Sequence, residues 1–174
     1  LENVERMREA VDLAAASRSD DMRLLFSGGE PLLELPLIQR AVEYARRARS
    51  NGKSFRPALI TNGTLLRPEV ASYLVDAGFE VLLSFDGTPT AQTLRGRGTF
   101  AVLDRRLEEL RRDQPAFLRR SLTVGITLTP SAVGSLADAI HYLTGKGVRR
   151  ITVSPVIAAN PDWSAVGYRK LEIQ

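Results

Sequence analysis

Met22-Arg23-Leu24-Leu25-Phe26-Ser27-Gly28-Gly29-Glu30-Pro31 is the stretch whose reading decides the fold. A short apolar run ends abruptly at a glycine pair, a carboxylate and a proline. The run is too short for a helix and reads as a buried strand. The glycines permit backbone conformations closed to other residues and let a ligand come close to the main chain. Gly-Gly is also a common turn former, so this one stretch is equally compatible with a plain turn.

Working outward, the same unit recurs. Before it, Val4, Met7, Val11 and Ala14 share one helix face. After it, a helix is predicted over Leu37 to Ala48, stopped by Asn51-Gly52. Ala58 to Thr61 reads as a strand ending at Asn62-Gly63. Glu69 to Ala77 reads as a helix, with Pro68 in its first turn and Gly78 at its end. Phe79 to Phe85 is a strand ending at Asp86-Gly87, and Phe100, Leu103, Leu107 and Leu110 mark the next helix. Leu122 to Leu128 is a strand ending at Thr129-Pro130. Ser131 opens a helix carrying Leu136, Ile140 and Leu143, and Arg150 to Val156 is a last strand. Asp86 to Gly98 is the longest irregular stretch, a length that often marks function.

Strands separated by helices argue for a parallel sheet built from βα units, because parallel neighbours need crossover connections. The strands read as apolar on both faces, as a sheet covered on both sides requires. A partial barrel and a doubly wound open sheet both remain open. In either, ligands bind at the C-terminal ends of the strands.

Composition narrows the function classes. At 174 residues, 44% hydrophobic and 25% charged, the chain has the balance of a globular domain. No apolar run approaches the roughly 18 residues of a membrane span, and the start lacks the basic and apolar regions of a signal peptide. Cytoplasm is the default expectation. The absence of cysteine excludes disulfides and thiolate-held metal within these residues. The single histidine, His141, falls in a helical pattern and is read as a surface or packing residue, which leaves no histidine metal site or catalytic triad. The net charge of +4 raises nucleic-acid binding, but Arg46-Arg47, Arg105-Arg106, Arg111-Arg112 and Arg119-Arg120 have acidic neighbours and no interleaved aromatic residues. They are read as solvated helix faces.

The informative feature is where the polar residues fall. Ser27-Gly28-Gly29-Glu30-Pro31, Thr61-Asn62-Gly63-Thr64, Ser84-Phe85-Asp86-Gly87 and Thr127-Leu128-Thr129-Pro130 all follow strands, so they belong on one rim. Free carbonyls at the glycine turn, with Glu30, suit a protonated amine. Ser84 and Asp86 suit ribose hydroxyls, and Thr61 and Asn62 offer donors and acceptors.

On these residues the chain resembles the radical S-adenosylmethionine (radical SAM) superfamily. Gly28-Gly29-Glu30-Pro31 is similar to its GGEP motif, and Thr61-Asn62-Gly63 to its third-strand TNG. Ser84-Phe85-Asp86-Gly87 resembles the S-[IL]-D-G of the peptide- and protein-modifying branch, which includes the sulfatase-maturing enzymes. Gly98-Thr99-Phe100 resembles the G-T-F that opens the following helix there. The resemblance covers residues 1–158 and implies a partial parallel (β/α)6 barrel, present here from its second strand to its sixth. Residues 159–174, with Trp163 and Tyr168, are expected to begin a truncated extension. It also implies SAM and a [4Fe–4S] cluster held by a CxxxCxxC loop, reductive cleavage of SAM to a 5′-deoxyadenosyl radical, and hydrogen abstraction from a small-molecule or peptide substrate with an external electron donor. The residues carried over are Gly28, Gly29 and Glu30 at the methionyl amine, with Pro31 completing the motif, Ser84 and Asp86 at the ribose or substrate side, Thr127 and Leu128 near the adenine, and Thr61 and Asn62 as further cofactor-binding residues.

The departures bound this reading. The cysteine loop and first strand are expected to precede Leu1, so the chain alone is expected to hold no cluster and to be inactive. The family's His-Asp after the fourth-strand turn is replaced by Ala91-Gln92, while Arg95 falls where a basic residue is common. A non-catalytic binding module and an unrelated phosphate-binding barrel are the alternatives. An edge strand over Met22 to Phe26 would invite pairing with a second copy.

Overall fold

The computed structural model describes residues 2–48 and 53–156. The expected extension from residue 159 onward lies outside the described residues. Five strands form one sheet in the order β1 (Asp21–Phe26), β2 (Ser54–Thr61), β3 (Glu80–Ser84), β4 (Leu122–Leu128) and β5 (Ile151–Pro155), with every neighbouring pair parallel. The helices are α1 (Glu2–Ala16), α2 (Leu35–Ala48), α3 (Pro68–Asp76), α4 (Pro89–Gln92), α5 (Thr99–Asp113), α6 (Pro115–Arg120) and α7 (Leu136–Gly145). Strand order equal to chain order is the arrangement of a barrel wall and not of a doubly wound sheet, in which the order reverses.

The register makes the two faces of the sheet explicit. Met22 lies opposite Phe55, Leu59 opposite Val81 and Leu83 opposite Val124, and this row faces the helices. There Leu59, Leu83, Phe85, Leu103, Leu107, Leu110, Leu122 and Leu143 pack into one buried core. Val11, Met22 and Ala45 form a smaller cluster where α1 and α2 meet the edge of the sheet. Phe85, Phe100 and Tyr142 close the core with tilted and edge-on ring contacts 5.5–6.1 Å apart.

The expectation of strands covered on both faces is corrected. The opposite row carries Arg23, Leu25, Arg56, Glu80, Leu82 and Thr123, and Leu25 is 54% exposed. Arg23 and Glu80 pair at 3.1 Å on this face. Apolar content misled here because Leu25, Ile60 and Leu82 belong to the inward face of a curved sheet, which the described residues do not fill. Two helical elements also escaped the sequence reading. Asp86 to Gly98 is not wholly irregular, since Thr88 caps α4 through its hydroxyl, which accepts from the Ala91 amide. Pro115 starts α6, whose Phe117 and Leu118 are buried. Short 3-10 turns at Pro31–Glu34 and Pro130–Ser135 lead into α2 and α7, so the latter begins later than Ser131.

Candidate functional site at the strand ends

The C-terminal ends of β1, β2 and β3 converge on a cavity of about 370 Å³, lined by Gly28, Gly29, Thr61, Asn62, Ser84 and Arg95 among others. A cavity of about 380 Å³ lies lower on the open face, around Arg23, Ala58, Glu80 and Leu82, away from the strand-end motifs. The polar convergence, not the volume, distinguishes the first.

The glycine turn builds one corner of this site. Gly28 and Gly29 have φ of 95° and 51°, values that side chains rarely adopt. A Cβ at either position would meet no atom within 4 Å, so backbone conformation and not crowding demands glycine there. Gly63 differs: a Cβ would lie 2.3 Å from Leu83 Cδ1. Its turn is packed tightly onto β3 and α5.

Glu30 ties this corner together. Its carboxylate accepts from Thr61 Oγ1 at 2.7 Å, from the Asn62 amide at 2.7 Å and from the Leu32 amide at 3.1 Å. One oxygen therefore has two donors and the other one, which leaves capacity for a further donor. Thr61 is 2% exposed and its hydroxyl also accepts from the Gly63 amide, so its side chain is spent inside the chain. The Asn62 side-chain oxygen accepts from both Thr64 groups. Pro31 starts the 3-10 turn and stands outside the cavity lining.

Asp86 ties the second corner. It is 3% exposed and accepts from Arg95 Nε at 2.7 Å, Arg95 Nη2 at 3.0 Å and the Thr127 amide at 2.8 Å. Arg95 Nη2 also donates to Thr127 Oγ1. Gln92, 2% exposed, accepts from the Asp86 amide at 3.0 Å and donates to Thr99 Oγ1 at 3.0 Å. The Ala91-Gln92 pair that departs from the family pattern thus contributes a buried amide clamp. Leu128 is buried on the helix side of β4, and only its backbone, accepting from the Val156 amide, belongs to the rim.

Of the sequence-predicted residues, the cavity gathers Gly28, Gly29, Thr61, Asn62 and Ser84. Glu30, Pro31, Asp86, Thr127 and Leu128 are not among its lining residues. Arg95 and Gln92 were visible in the sequence only as matches or departures, because their bonds to Asp86 depend on the fold of the 86–98 loop. His141 is exposed on α7. Among the described residues no group of three or more His, Asp or Glu could hold a metal, and no helix is long and apolar enough to cross a membrane.

With the rim described, the family can be stated. The radical SAM superfamily profile matches residues 1–143, and the chain belongs to that superfamily. A tungsten-containing aldehyde ferredoxin oxidoreductase cofactor-modifying protein of Pyrococcus furiosus is 26% identical over 152 residues, covering 84% of this chain and 42% of that protein. An uncharacterized protein of Methanocaldococcus jannaschii is 28% identical over 139 residues, covering 76% and 46%. The chain thus spans less than half the length of these relatives. Among solved structures, native anSMEcpe with bound AdoMet superposes with a TM-score of 0.80 at 20% identity, over 96% of this chain and 48% of that one. Native anSMEcpe with bound AdoMet and the Cp18Cys peptide gives the same score. The five parallel strands are those of a partial radical SAM (β/α) barrel.

Proposed function

We propose that this chain is the SAM-holding wall of a radical SAM enzyme of the peptide- or cofactor-modifying kind. The observation that carries this reading is the convergence of Gly28, Gly29, Asn62 and Ser84, from three strand ends, on one cavity. Membership of the superfamily supports it, as does the likeness to anSMEcpe, whose structures hold AdoMet and a peptide.

The donor set fits the polar half of SAM. The turn at Gly28-Gly29 offers main-chain groups with open space beside them, and Glu30 keeps acceptor capacity for an ammonium group. Asn62 and Ser84 offer donors and acceptors across the cavity. The donor set does not fit an iron–sulfur cluster, because the chain has no cysteine. SAM bound against a [4Fe–4S] cluster supplies the hydrogen-abstracting radical chemistry of the superfamily. This chain's residues bind and orient SAM, and the thiolates come from sequence outside these 174 residues. Alone it binds SAM weakly and cleaves none.

The substrate is a small molecule or a peptide reaching the open face, and the electrons come from an external donor. Cytoplasm remains the proposed compartment. β1 pairs with β2 and forms one edge of the described sheet, so a second copy pairing along Met22 to Phe26 is a further proposal.

The test is the coding sequence before Leu1 together with an assay. Three cysteines at CxxxCxxC spacing, and formation of methionine and 5′-deoxyadenosine by the anaerobically reconstituted full-length protein, would support the reading. A natural initiation codon there, with no cysteine codon between it and Leu1, would overturn it.

A further inference from the structure

Asp86 is the deepest ionisable side chain at the rim, and burial together with three protein hydrogen bonds closes it off. Arg95 meets both of its oxygens, and the Thr127 amide takes a second position on one of them. Arg95 in turn reaches Thr127 Oγ1 and, at 3.4 Å, the Gly125 carbonyl, both on β4. Gln92 holds the Asp86 amide from the other side and is anchored by Thr99 at the start of α5. Gly87 follows with φ of 73°, and a Cβ there would lie 2.8 Å from Ala139 Cβ, so this turn is pressed against α7. Every contact of the carboxylate thus joins the end of β3 to the end of β4 or to the 86–98 loop. At 3% exposure it offers almost no surface to a ligand.

We infer that Asp86 is a positioning residue which, through Arg95, sets the spacing of Ser84 and Thr127 on the rim, in place of the ribose contact its motif suggests. This rests on the reading that the rim holds SAM, but the clamp itself exists without ligand. A supporting residue fixes the geometry of those that touch ligand, and its loss costs binding without removing a contact. Gln92 belongs to the same device, because its side-chain amide bridges the Asp86 main chain and Thr99 at the start of α5.

The experiment uses the labelled 174-residue chain and its Asp86→Ala, Asp86→Asn and Arg95→Lys variants. Without ligand, the Thr127 amide should be protected from hydrogen exchange in the parent chain and lose most of that protection in Asp86→Ala, which removes its acceptor. Unchanged protection would overturn the clamp, whatever the chain binds. In a second arm, SAM and its 2′-deoxyribose and 3′-deoxyribose analogues are titrated. Asp86→Asn should weaken all three by the same factor, roughly 10-fold, the lower end of what losing a supporting residue costs. A loss confined to SAM, with the variant and parent binding one deoxy analogue equally, would overturn positioning in favour of ribose contact. If Asp86→Asn does not fold, Arg95→Lys, which keeps the charge but not the two-oxygen fork, decides the same comparison. A parent chain that keeps the Thr127 protection but shifts no rim resonance with SAM would overturn the proposed function and leave the clamp standing.

Discussion

Two carboxylates stand at the strand ends and are used differently. Glu30 joins the β1 turn to the end of β2 through one hydroxyl and two amides, with part of its acceptor capacity left and open space beside the neighbouring glycines. Asp86 joins β3 to β4 through an arginine fork and an amide, and is sealed at 3% exposure. The first corner is shaped to receive something; the second is shaped to hold still. A motif residue therefore does not declare its role by its type: each carboxylate accepts three protein hydrogen bonds, and burial and the space beside it separate the two.

The largest way to break this comparison is Asp86→Ala. It leaves Arg95 and the Thr127 amide without their shared partner, and losing one member of a buried pair costs about 3 kcal/mol at the partly exposed end of the range. Glu30→Ala should cost less, about 1 kcal/mol, because Glu30 is only half-buried and the Asn62 amide and Thr61 hydroxyl it frees lie beside the strand-end cavity. Urea midpoints of the two variants measure the ratio. Equal losses would erase the distinction between the corners.

Next come the glycines of the first corner. Gly63→Ala combines a positive φ with a contact 2.3 Å from Leu83, and should lose about 2 kcal/mol, as overpacking does. Gly28→Ala carries backbone strain alone, about 1 kcal/mol. A Gly28→Ala variant that unfolds as readily as Gly63→Ala would contradict the open turn.

A smaller effect lies away from both corners. Lys146 bonds Asp104 and Glu108 on α5. Its hydrogen bonds are the first cause holding both carboxyls below their ordinary range and raising its own ammonium. Depressed carboxyls add stability above their unfolded pKa values, near pH 4, that is lost as pH falls through the folded ones. The thermal midpoint of Lys146→Met should therefore trail the parent at neutral pH and converge with it in acid. A gap that persists unchanged at low pH would rule out this linkage. Tyr142, raised by burial first and by its bond to Asp104 second, stays neutral throughout.

Smallest is the edge. Leu25→Lys places a charge on β1 and should reduce any concentration-dependent association of the chain in sedimentation. A parent chain that stays monomeric throughout would contradict the proposed pairing.

Much of this architecture was legible because the residues that end strands are also the residues that bind. Strand β4, Leu122 to Leu128, stands with the bounds that its apolar run gives. The four polar strand ends were legible as a rim because parallel strands bring like ends together. What the sequence hid were long-range partners. Glu30 reads as a wholly free ligand group until Thr61 and Asn62 are seen to donate to it, taking part of its acceptor capacity. Asp86 reads as a ribose contact until Arg95, nine residues on, folds back over it. Helix α6 was hidden because Gln114-Pro115 breaks the pattern of α5 only briefly. The open face carries Arg23, Arg56, Glu80 and Thr123, polar residues that the reading of the strands as apolar on both faces passed over.

The central claim is that the Gly28-Gly29 corner receives the amino-acid end of SAM. Titrating the isotopically labelled chain with SAM, and separately with inorganic phosphate, tests it most directly. The account predicts that SAM shifts the amides of Gly28, Gly29, Asn62 and Ser84 while phosphate leaves them in place. Shifts of the same amides by phosphate, with none from SAM, would contradict it.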